Sequence, residues 1–132
     1  DLQRDPRWGR FYEGISEDTL LEGDISKVRA RALEDDPRMA ACVKHFAAYS
    51  VPNNGNDRAP ASTSLRDLRT DLLPPYREAL EPEPKTVMVN SGAVNGKPAH
   101  ASTSTGSSRT TTTSATSGPP RSGPSTPAST CT

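Results

Sequence analysis

Two polar residues, Lys44 and His45, stand together at the end of an apolar run in the middle of the chain. The run begins as AACV and continues as KHF, so a cation and an imidazole follow residues that are typical of a buried strand. Such side chains are rarely placed at the end of a buried run without a partner. Both can donate hydrogen bonds to hydroxyl oxygens, which indicates a polyol ligand rather than an apolar one.

Five other side chains are candidates for ligand contact, but each also fits an ordinary structural or surface role. Arg10, in the loop PRWGR, fits a surface charge as well as it fits ligand contact, and Trp8 beside it is either a core plug or an aromatic wall. Asp57 and Arg58 lie in a loop rich in Asn and Gly, where we expect a solvated ion pair. His100 is interpreted as a structural residue.

The composition excludes several classes of function. Basic and acidic residues number 16 each, so the sequence predicts neither a nucleic-acid partner nor an anionic membrane surface. No apolar stretch approaches the roughly 20 residues of a membrane span. The two cysteines are no disulfide framework, and we expect Cys42 to pack as a small hydrophobic residue. Because there is no CxxC, GxSxG or glycine-rich phosphate loop, we predict no metal site and no cofactor.

A first helix is predicted to begin at Thr19 and to end near residues 34–36, ahead of Pro37. The segment TLLE, residues 19–22, has the form of a capping box, and the two acidic residues before it suit the positive end of the helix dipole. The predicted apolar face of this helix consists of Leu21, Ile25, Val28 and Ala32.

Two strands flank a second helix. Residues 40–46 lack polar alternation before Lys44, which predicts a strand buried on both faces, as in a parallel sheet. The second helix is predicted to begin near Ser64 and to be kinked or split at the pair Pro74 and Pro75. Its predicted apolar stripe consists of Leu65, Leu68, Leu72, Tyr76 and Leu80. Residues 85–90 form the second predicted strand.

This order of elements predicts an α/β fold built from βαβ units. A partial (β/α)₈ barrel and a doubly wound sheet both fit, and in either fold the chemistry lies at the C-terminal ends of the strands. Lys44 and His45 occupy such an end. The chain opens on DLQRDPRWGR without a helix cap or strand, so we interpret it as a fragment from within a domain.

The composition changes near residue 101. All 16 acidic residues precede this point, whereas residues 102–132 are rich in Ser, Thr, Pro and Gly and contain no Leu, Ile, Val or aromatic residue. Since such a segment cannot bury enough apolar surface to offset its ordering entropy, we predict a disordered tail after a folded segment of residues 1–101. A stalk should lie between domains, but this tail begins inside a β/α unit. We therefore predict that the tail arises at least partly from a reading-frame change. An O-glycosylated stalk of a secreted protein is the alternative.

Four consecutive blocks resemble the catalytic barrel of glycoside hydrolase family 3, the β-glucosidase and β-xylosidase type of enzymes. They read DPRWGRFYEGISED, VKHFAAYS, SLRDLRTDLLPPYREAL and KTVMVNSGAVNGKPAHAS, and the resemblance covers residues 1 to about 102. It implies a partial (β/α)₈ barrel whose sugar site is built from strand-end loops. Thr19 stands where the family usually has Pro, and Ser91 lies near a position where many members have Tyr. AAYS follows KHF where the hexosaminidase branch has Pro-Gly-His, which argues against that branch.

The resemblance implies roles for five residues. Arg10, Lys44 and His45 would hydrogen-bond hydroxyls of the sugar on the non-reducing side of the scissile bond, Arg58 would join them, and Met88 would pack against the sugar. A retaining glycosidase also needs two carboxyl groups about 5–5.5 Å apart. The family carries its nucleophilic Asp downstream of the NGKPAHAS block and, in the glucosidase branch, its acid/base Glu in a second domain. We therefore expect neither in this chain.

The resemblance implies a fragment of a retaining β-glycosidase that hydrolyses terminal β-linked sugars of oligosaccharides or glycosides through a glycosyl-enzyme intermediate. We expect the fragment itself to be inactive, because without the nucleophile the remaining groups only position the substrate. The alternative is a non-catalytic carbohydrate-binding or scaffold protein that kept the residues for sugar hydroxyls.

Overall fold

The computed structural model describes residues 1–103, which form a mixed α/β unit. Its larger elements are a 3₁₀ turn (Phe11–Glu13), helix α1 (Thr19–Glu34), strand β1 (Cys42–Phe46), helix α2 (Leu65–Asp67), a π-helical turn (Leu68–Leu72), helix α3 (Pro74–Leu80) and strand β2 (Thr86–Val89). Two short strands, β3 (Ala93–Val94) and β4 (Lys97–Pro98), and helix α4 (Ala99–Thr103) follow. The predicted disordered tail begins within α4, and its remainder from residue 104 lies outside the described residues.

Helix α1 is capped by Asp18 and not by the predicted capping box. The Oδ1 of Asp18 accepts a hydrogen bond from the backbone N–H of Leu21 at 2.8 Å. Glu22 turns instead to the preceding loop, where its Oε2 accepts from the backbone N–H groups of Ile15 at 2.8 Å and Ser16 at 2.9 Å. The buried Glu22 therefore ties the loop before α1 to the first turn of the helix.

The predicted apolar face of α1 is wrong in detail. Leu21 and Val28 are exposed, whereas Gly23 and Ala30 are buried. The contact with α3 explains this, because a Cβ at position 23 would lie only 3.1 Å from the side chain of Glu78. Helix α1 approaches α3 through its small residues, so part of the larger apolar face is left outside that contact.

Strands β1 and β2 form a parallel two-stranded sheet, as the order of strand, helix and strand predicts. The register pairs Lys44 with Met88 and Phe46 with Val89. Between these pairs the register shifts, so His45 is not paired within the described sheet. Such bulges bend a strand and redirect its side chains, and they are common next to functional sites.

The prediction that β1 is buried on both faces is wrong. Cys42 and Lys44 alternate along β1 and are exposed, and Met88 of β2 is 48% exposed beside them. Within residues 1–103 this sheet has only two strands, and this face of it carries no covering layer. Cys42 is therefore an exposed free thiol and not a packed hydrophobic residue.

The second helical region begins and divides as predicted. Ser64 caps α2, because its Oγ accepts a hydrogen bond from the backbone N–H of Asp67 at 3.0 Å. Pro74 and Pro75 stand at the start of α3, where a missing backbone N–H costs no helical hydrogen bond. Two members of the predicted stripe, Leu72 and Tyr76, are buried, whereas Leu65 and Leu80 are exposed.

The buried cluster that supports these elements is small. It consists of Leu2, Ala48, Ala61 and Leu72. The ends of β1 and β2 are linked by Asn90, whose side-chain N–H donates to the carbonyl of Ala47 at 2.8 Å. In residues 1–103 every helix is too short or too polar to cross a membrane. The two strand ends are thus held side by side at the edge where the candidate residues lie.

Candidate functional site

Arg10, Lys44 and His45 meet at the C-terminal end of β1. Arg10 precedes the 3₁₀ turn, and the other two residues belong to the end of the strand. The Nη2 of Arg10 lies 3.0 Å from the Nε2 of His45, and Glu13 bridges Arg10 and Lys44. We call these four residues the site cluster. The structure thus brings together three of the five residues predicted from the sequence.

Glu13 holds the two cations of the site cluster, and the sequence analysis did not single it out. Its Oε1 accepts from the Nε of Arg10 at 2.6 Å, and its Oε2 accepts from the Nη2 of Arg10 at 3.0 Å and the Nζ of Lys44 at 2.8 Å. The hydrogen bonds from Arg10, and after them the one from Lys44, lower the pKa of Glu13 to about 2. The same contact with Glu13 raises the pKa of Arg10. Glu13 is therefore ionised at neutral pH. Its position three residues after Arg10 is a signal that sequence reasoning could have used.

His45 is buried, and both of its ring nitrogens have partners. Because arginine can only donate, the Nε2 that faces Arg10 must be an acceptor. The proton therefore lies on Nδ1, which donates to the Oδ2 of Asp1 at 2.7 Å. Burial lowers the pKa of His45 to about 4, and the charges of Arg10 and Lys44 add to the effect. In this arrangement the Nε2 of His45 accepts from Arg10, and the role of His45 toward a sugar hydroxyl stays a prediction.

A buried aromatic pair supports the site cluster. Tyr49 packs edge-on against His45, with ring centroids 4.7 Å apart, and against Trp8 at 5.2 Å. The guanidinium carbon of Arg10 lies 5.4 Å from the centre of the Tyr49 ring, within the distance of a cation–π contact. Trp8 is buried and its Nε1 donates to the Oδ1 of Asp57 at 3.2 Å. Of the two interpretations of Trp8, the core plug is the one that the structure shows.

A family model described as the glycosyl hydrolase family 3 N terminal domain matches residues 1–105. The chain belongs to this family. It is 36% identical over 104 residues to the periplasmic β-glucosidase of Salmonella typhimurium, covering 75% of this chain and 14% of the relative. It is 34% identical over 107 residues to β-D-xylosidase 1 of Arabidopsis thaliana, covering 74% of this chain and 14% of the relative.

The fold is also similar to solved structures of family 3 enzymes. The crystal structure of β-glucosidase from Listeria innocua in complex with glucose matches with a TM-score of 0.70 and 38% identity, over 75% of this chain and 15% of that one. The chain spans about 14% of the length of the curated relatives named above. These findings confirm the family that the sequence blocks indicated, and with it the class of glycoside hydrolases.

The other two predicted residues of the family 3 site lie apart from the site cluster. The side chain of Arg58 is 74% exposed, and its Nε lies 3.9 Å from the Oδ2 of Asp57, which matches the expected solvated pair. Met88 is the register partner of Lys44 in the sheet and is partly exposed. The structure therefore places Met88 next to the site cluster and leaves Arg58 on an exposed loop.

A cleft of about 200 Å³ opens beside the site cluster, between α1, α3 and β1. Its lining includes Glu13 and Lys44 of the site cluster and Ala30 and Leu33 of α1. Sites for small molecules usually exceed about 300 Å³, so this cleft is smaller than a usual small-molecule site. Within the described residues, no group of three or more His, Cys, Asp or Glu side chains is arranged to hold a metal ion.

Proposed function

We propose that this chain is a segment of the catalytic (β/α)₈ barrel of a retaining β-glycosidase. Its site cluster binds hydroxyls of the sugar on the non-reducing side of the scissile bond. The observation that carries this proposal is the convergence of Arg10, Lys44 and His45 at the end of β1. Support for a terminal β-linked sugar comes from relatives named as a β-glucosidase and a β-xylosidase and from a solved relative in complex with glucose.

The site cluster offers both kinds of hydrogen-bonding group that a sugar hydroxyl requires. Lys44 has three N–H donors, of which one is directed at Glu13. The Nε2 of His45 is an acceptor. The Nη2–H of Arg10 occupies this acceptor at 3.0 Å, so a sugar hydroxyl would donate to His45 in place of Arg10, while Lys44 would donate to a hydroxyl oxygen of the sugar. An apolar ligand would leave these polar groups unpaired, which is how such a site discriminates against it.

Arg58 and Met88 belong to the same proposal with different weights. Met88 lies in register with Lys44 and offers an apolar surface for the sugar ring. Arg58 lies on an exposed loop with its guanidinium near Asp57, so it would have to leave that contact to reach a sugar. We therefore expect substitution of Arg58 to affect sugar binding less than substitution of Lys44.

In the proposed reaction, one carboxylate attacks the anomeric carbon of the sugar to form a glycosyl-enzyme intermediate. A second carboxyl group protonates the leaving oxygen and then activates water. The resemblance places both groups outside residues 1–101, the segment that we assign to the barrel. Glu13 cannot serve as the acid, because its bonds to Arg10 and Lys44 keep it ionised. We therefore expect the 132-residue chain to be inactive by itself.

The alternative is a carbohydrate-binding or scaffold protein without catalysis. It is favoured by the state of Glu13, which is the one carboxyl group of the site cluster and is ionised. The site cluster can therefore hydrogen-bond a sugar but contains no carboxylic acid that could protonate a leaving group. The two proposals differ in whether this segment supports turnover of a glycoside. Saturable binding of glucose by the 132-residue chain, combined with no hydrolysis of an aryl β-glucoside when residues 1–101 replace the matching segment of an active β-glucosidase, favours the alternative.

A graft tests the main proposal. Residues 1–101 replace the matching segment of the Listeria innocua β-glucosidase, which is 38% identical to this chain. We call this protein the grafted enzyme. We expect it to hydrolyse an aryl β-glucoside at a rate of the same order as the host enzyme, whereas the 132-residue chain releases no product. Hydrolysis by the chain alone, or a folded grafted enzyme without turnover, would contradict the proposal.

The origin of residues 102–132 is a separate proposal. If the tail arises partly from a reading-frame change, the alternative frame after codon 101 encodes an apolar helix pattern followed by a stretch like Asp-Tyr-Asp-Phe. Sequencing the gene decides between this origin and a native tail. An alternative frame without such a stretch makes the tail native.

A further inference from the structure

The Asp1 side chain is buried, at 3% exposure, and it contacts both the ring and the backbone of His45. Its Oδ2 accepts from the Nδ1–H of His45 at 2.7 Å and from the backbone N–H of the same residue at 3.3 Å. Its Oδ1 lies 2.9 Å from the hydroxyl of Tyr76, which also lies 2.8 Å from the carbonyl oxygen of His45. Asp1 and Tyr76 therefore surround His45 with polar contacts on the side away from Arg10.

We propose that Asp1 is a positioning residue of the sugar site, which holds His45 in the Nδ1–H tautomer so that the Nε2 lone pair, which here accepts from Arg10, can accept from a sugar hydroxyl that takes the place of Arg10. This inference rests on the proposed function and assigns the hydrogen-bonding role of His45 within it. An imidazole in water favours the other tautomer, with its proton on Nε2. In the folded chain that proton would face the Nη2 of Arg10 at 3.0 Å, donor against donor.

The surroundings of His45 leave no second arrangement of equal quality. Its ring packs edge-on against Tyr49, and the side chain is 5% exposed, so the ring has room only in this plane, either as observed or rotated by 180°. The rotated ring would place a carbon atom against Asp1 and leave a buried carboxyl oxygen with one partner fewer. Asp1 therefore favours the observed ring orientation and, together with Arg10 at Nε2, the proton position on Nδ1.

The assigned role has a consequence for the substrate. The hydroxyl that meets His45 must donate its proton. A substrate with fluorine in place of this hydroxyl keeps a weak acceptor but has no proton for His45. We therefore expect one position of the sugar ring at which fluorine substitution is poorly tolerated, and we expect the loss to be smaller once Asp1 is replaced by Ala.

The direct test is ¹⁵N NMR of the histidine rings in the full 132-residue chain. The chain has two histidines, and His100→Gln assigns the signals. We expect His45 to carry its proton on Nδ1. Asp1→Ala should shift the Nδ1 signal, because Nδ1–H loses its acceptor while Arg10 still faces Nε2, and Asp1→Asn should keep the signal near its wild-type position, because the amide oxygen can still accept. Asp24→Ala, on the exposed side of α1, is the matched control and leaves the spectrum unchanged.

Kinetics of the grafted enzyme provide a second test. Loss of a residue that orients a histidine ligand typically costs about 10- to 100-fold in activity at metal sites, and we expect a loss of that size in kcat/KM for Asp1→Ala. Asp1→Asn should recover most of it, and Asp24→Ala should match the unsubstituted graft.

The outcomes separate this inference from the proposed function. A wild-type spectrum that shows the proton of His45 on Nε2 overturns the inference, even if the grafted enzyme is active. An Asp1→Ala spectrum identical to the wild-type spectrum also overturns it. If instead the proton lies on Nδ1 and its signal depends on Asp1, but Lys44→Ala leaves the grafted enzyme fully active, the positioning role stands and the proposed sugar contact is wrong.

Discussion

Glu13 sets one negative charge against two cations, so replacing it with Gln tests the site cluster without changing its shape. An amide has one oxygen to accept hydrogen bonds, and its NH₂ group would face Arg10 in either orientation, donor against donor. Arg10 would therefore lose one arm of its two-point contact with Glu13, and an amide nitrogen in the place of Oε2 would also remove the contact of Lys44 at 2.8 Å. We expect both cations to shift away from the positions in which they meet a sugar.

The magnitude follows from two terms. Losing one charge-assisted hydrogen bond costs about 1.5–3 kcal/mol. The Nη2 of Arg10 and the Nζ of Lys44 both contact the Oε2 of Glu13, so they lie no more than about 6 Å apart, and their repulsion is worth about 0.7–3 kcal/mol for an effective dielectric constant of about 80 to 20. Since part of this is relieved by movement, we expect about 2–3 kcal/mol, or about 30- to 150-fold in kcat/KM.

The assay is steady-state hydrolysis of an aryl β-glucoside by the grafted enzyme. Glu17→Gln removes the same charge from an exposed position in the same loop and is the matched control. Both variants are checked for an unchanged melting temperature before their rates are compared. If Glu13→Gln loses no more activity than Glu17→Gln in a folded enzyme, Glu13 does not organise the site and this reasoning is refuted.

Three further predictions concern other parts of the molecule. In the grafted enzyme, Lys44→Ala should lower kcat/KM by about 10- to 100-fold. The control Lys27→Ala, which removes an ion pair between α1 and α3, should have little effect. Equal kcat/KM values for the two variants would reject Lys44 as a hydroxyl ligand. The pKa of His45 is about 4 in the folded chain and about 6.5 when unfolded, so the unfolded chain binds the proton first as pH falls. This contribution to stability is present above about pH 6.5 and is lost toward pH 4, by at most about 1.4 kcal/mol per pH unit. In urea unfolding, the free energy of unfolding of His45→Gln should therefore depend less on pH than that of the wild type. Parallel pH dependences of the two proteins would contradict this prediction. Gly55→Ala should destabilise the chain more than Gly96→Ala in thermal unfolding, because both residues have φ near 78° but only at position 55 would a Cβ meet another atom, the Cβ of Arg7 at 2.6 Å. Equal shifts in melting temperature would show that the contact at Gly55 is relieved without cost.

The sequence predicted those parts of the fold that depend on neighbouring residues. The cap at Ser64 and the break at Pro74 are chemical signals that act within one helical turn, and both are present. Burial was predicted less well, because it depends on which elements pack against a face. Leu21 has the spacing of a core residue but is exposed, since α1 contacts α3 through Gly23 and its neighbours on that side.

The candidate site shows the same division. Lys44 and His45 were found because polar residues at the end of a predicted parallel strand have a known place in α/β folds. Asp1 was not found, since it lies 44 positions before His45 and no local pattern links the two. The tautomer of His45 was also beyond the sequence, because it depends on which nitrogen faces a donor and which faces an acceptor.

The crystal structure of the grafted enzyme with bound glucose tests the central claim most directly. The account predicts that the Nζ of Lys44 and the Nε2 of His45 each lie within about 2.7–3.2 Å of a hydroxyl oxygen of the sugar. It also predicts that the Nδ1 of His45 keeps its contact with Asp1. Glucose bound with both Lys44 and His45 beyond hydrogen-bonding distance of every hydroxyl would contradict the claim that the site cluster is a sugar site.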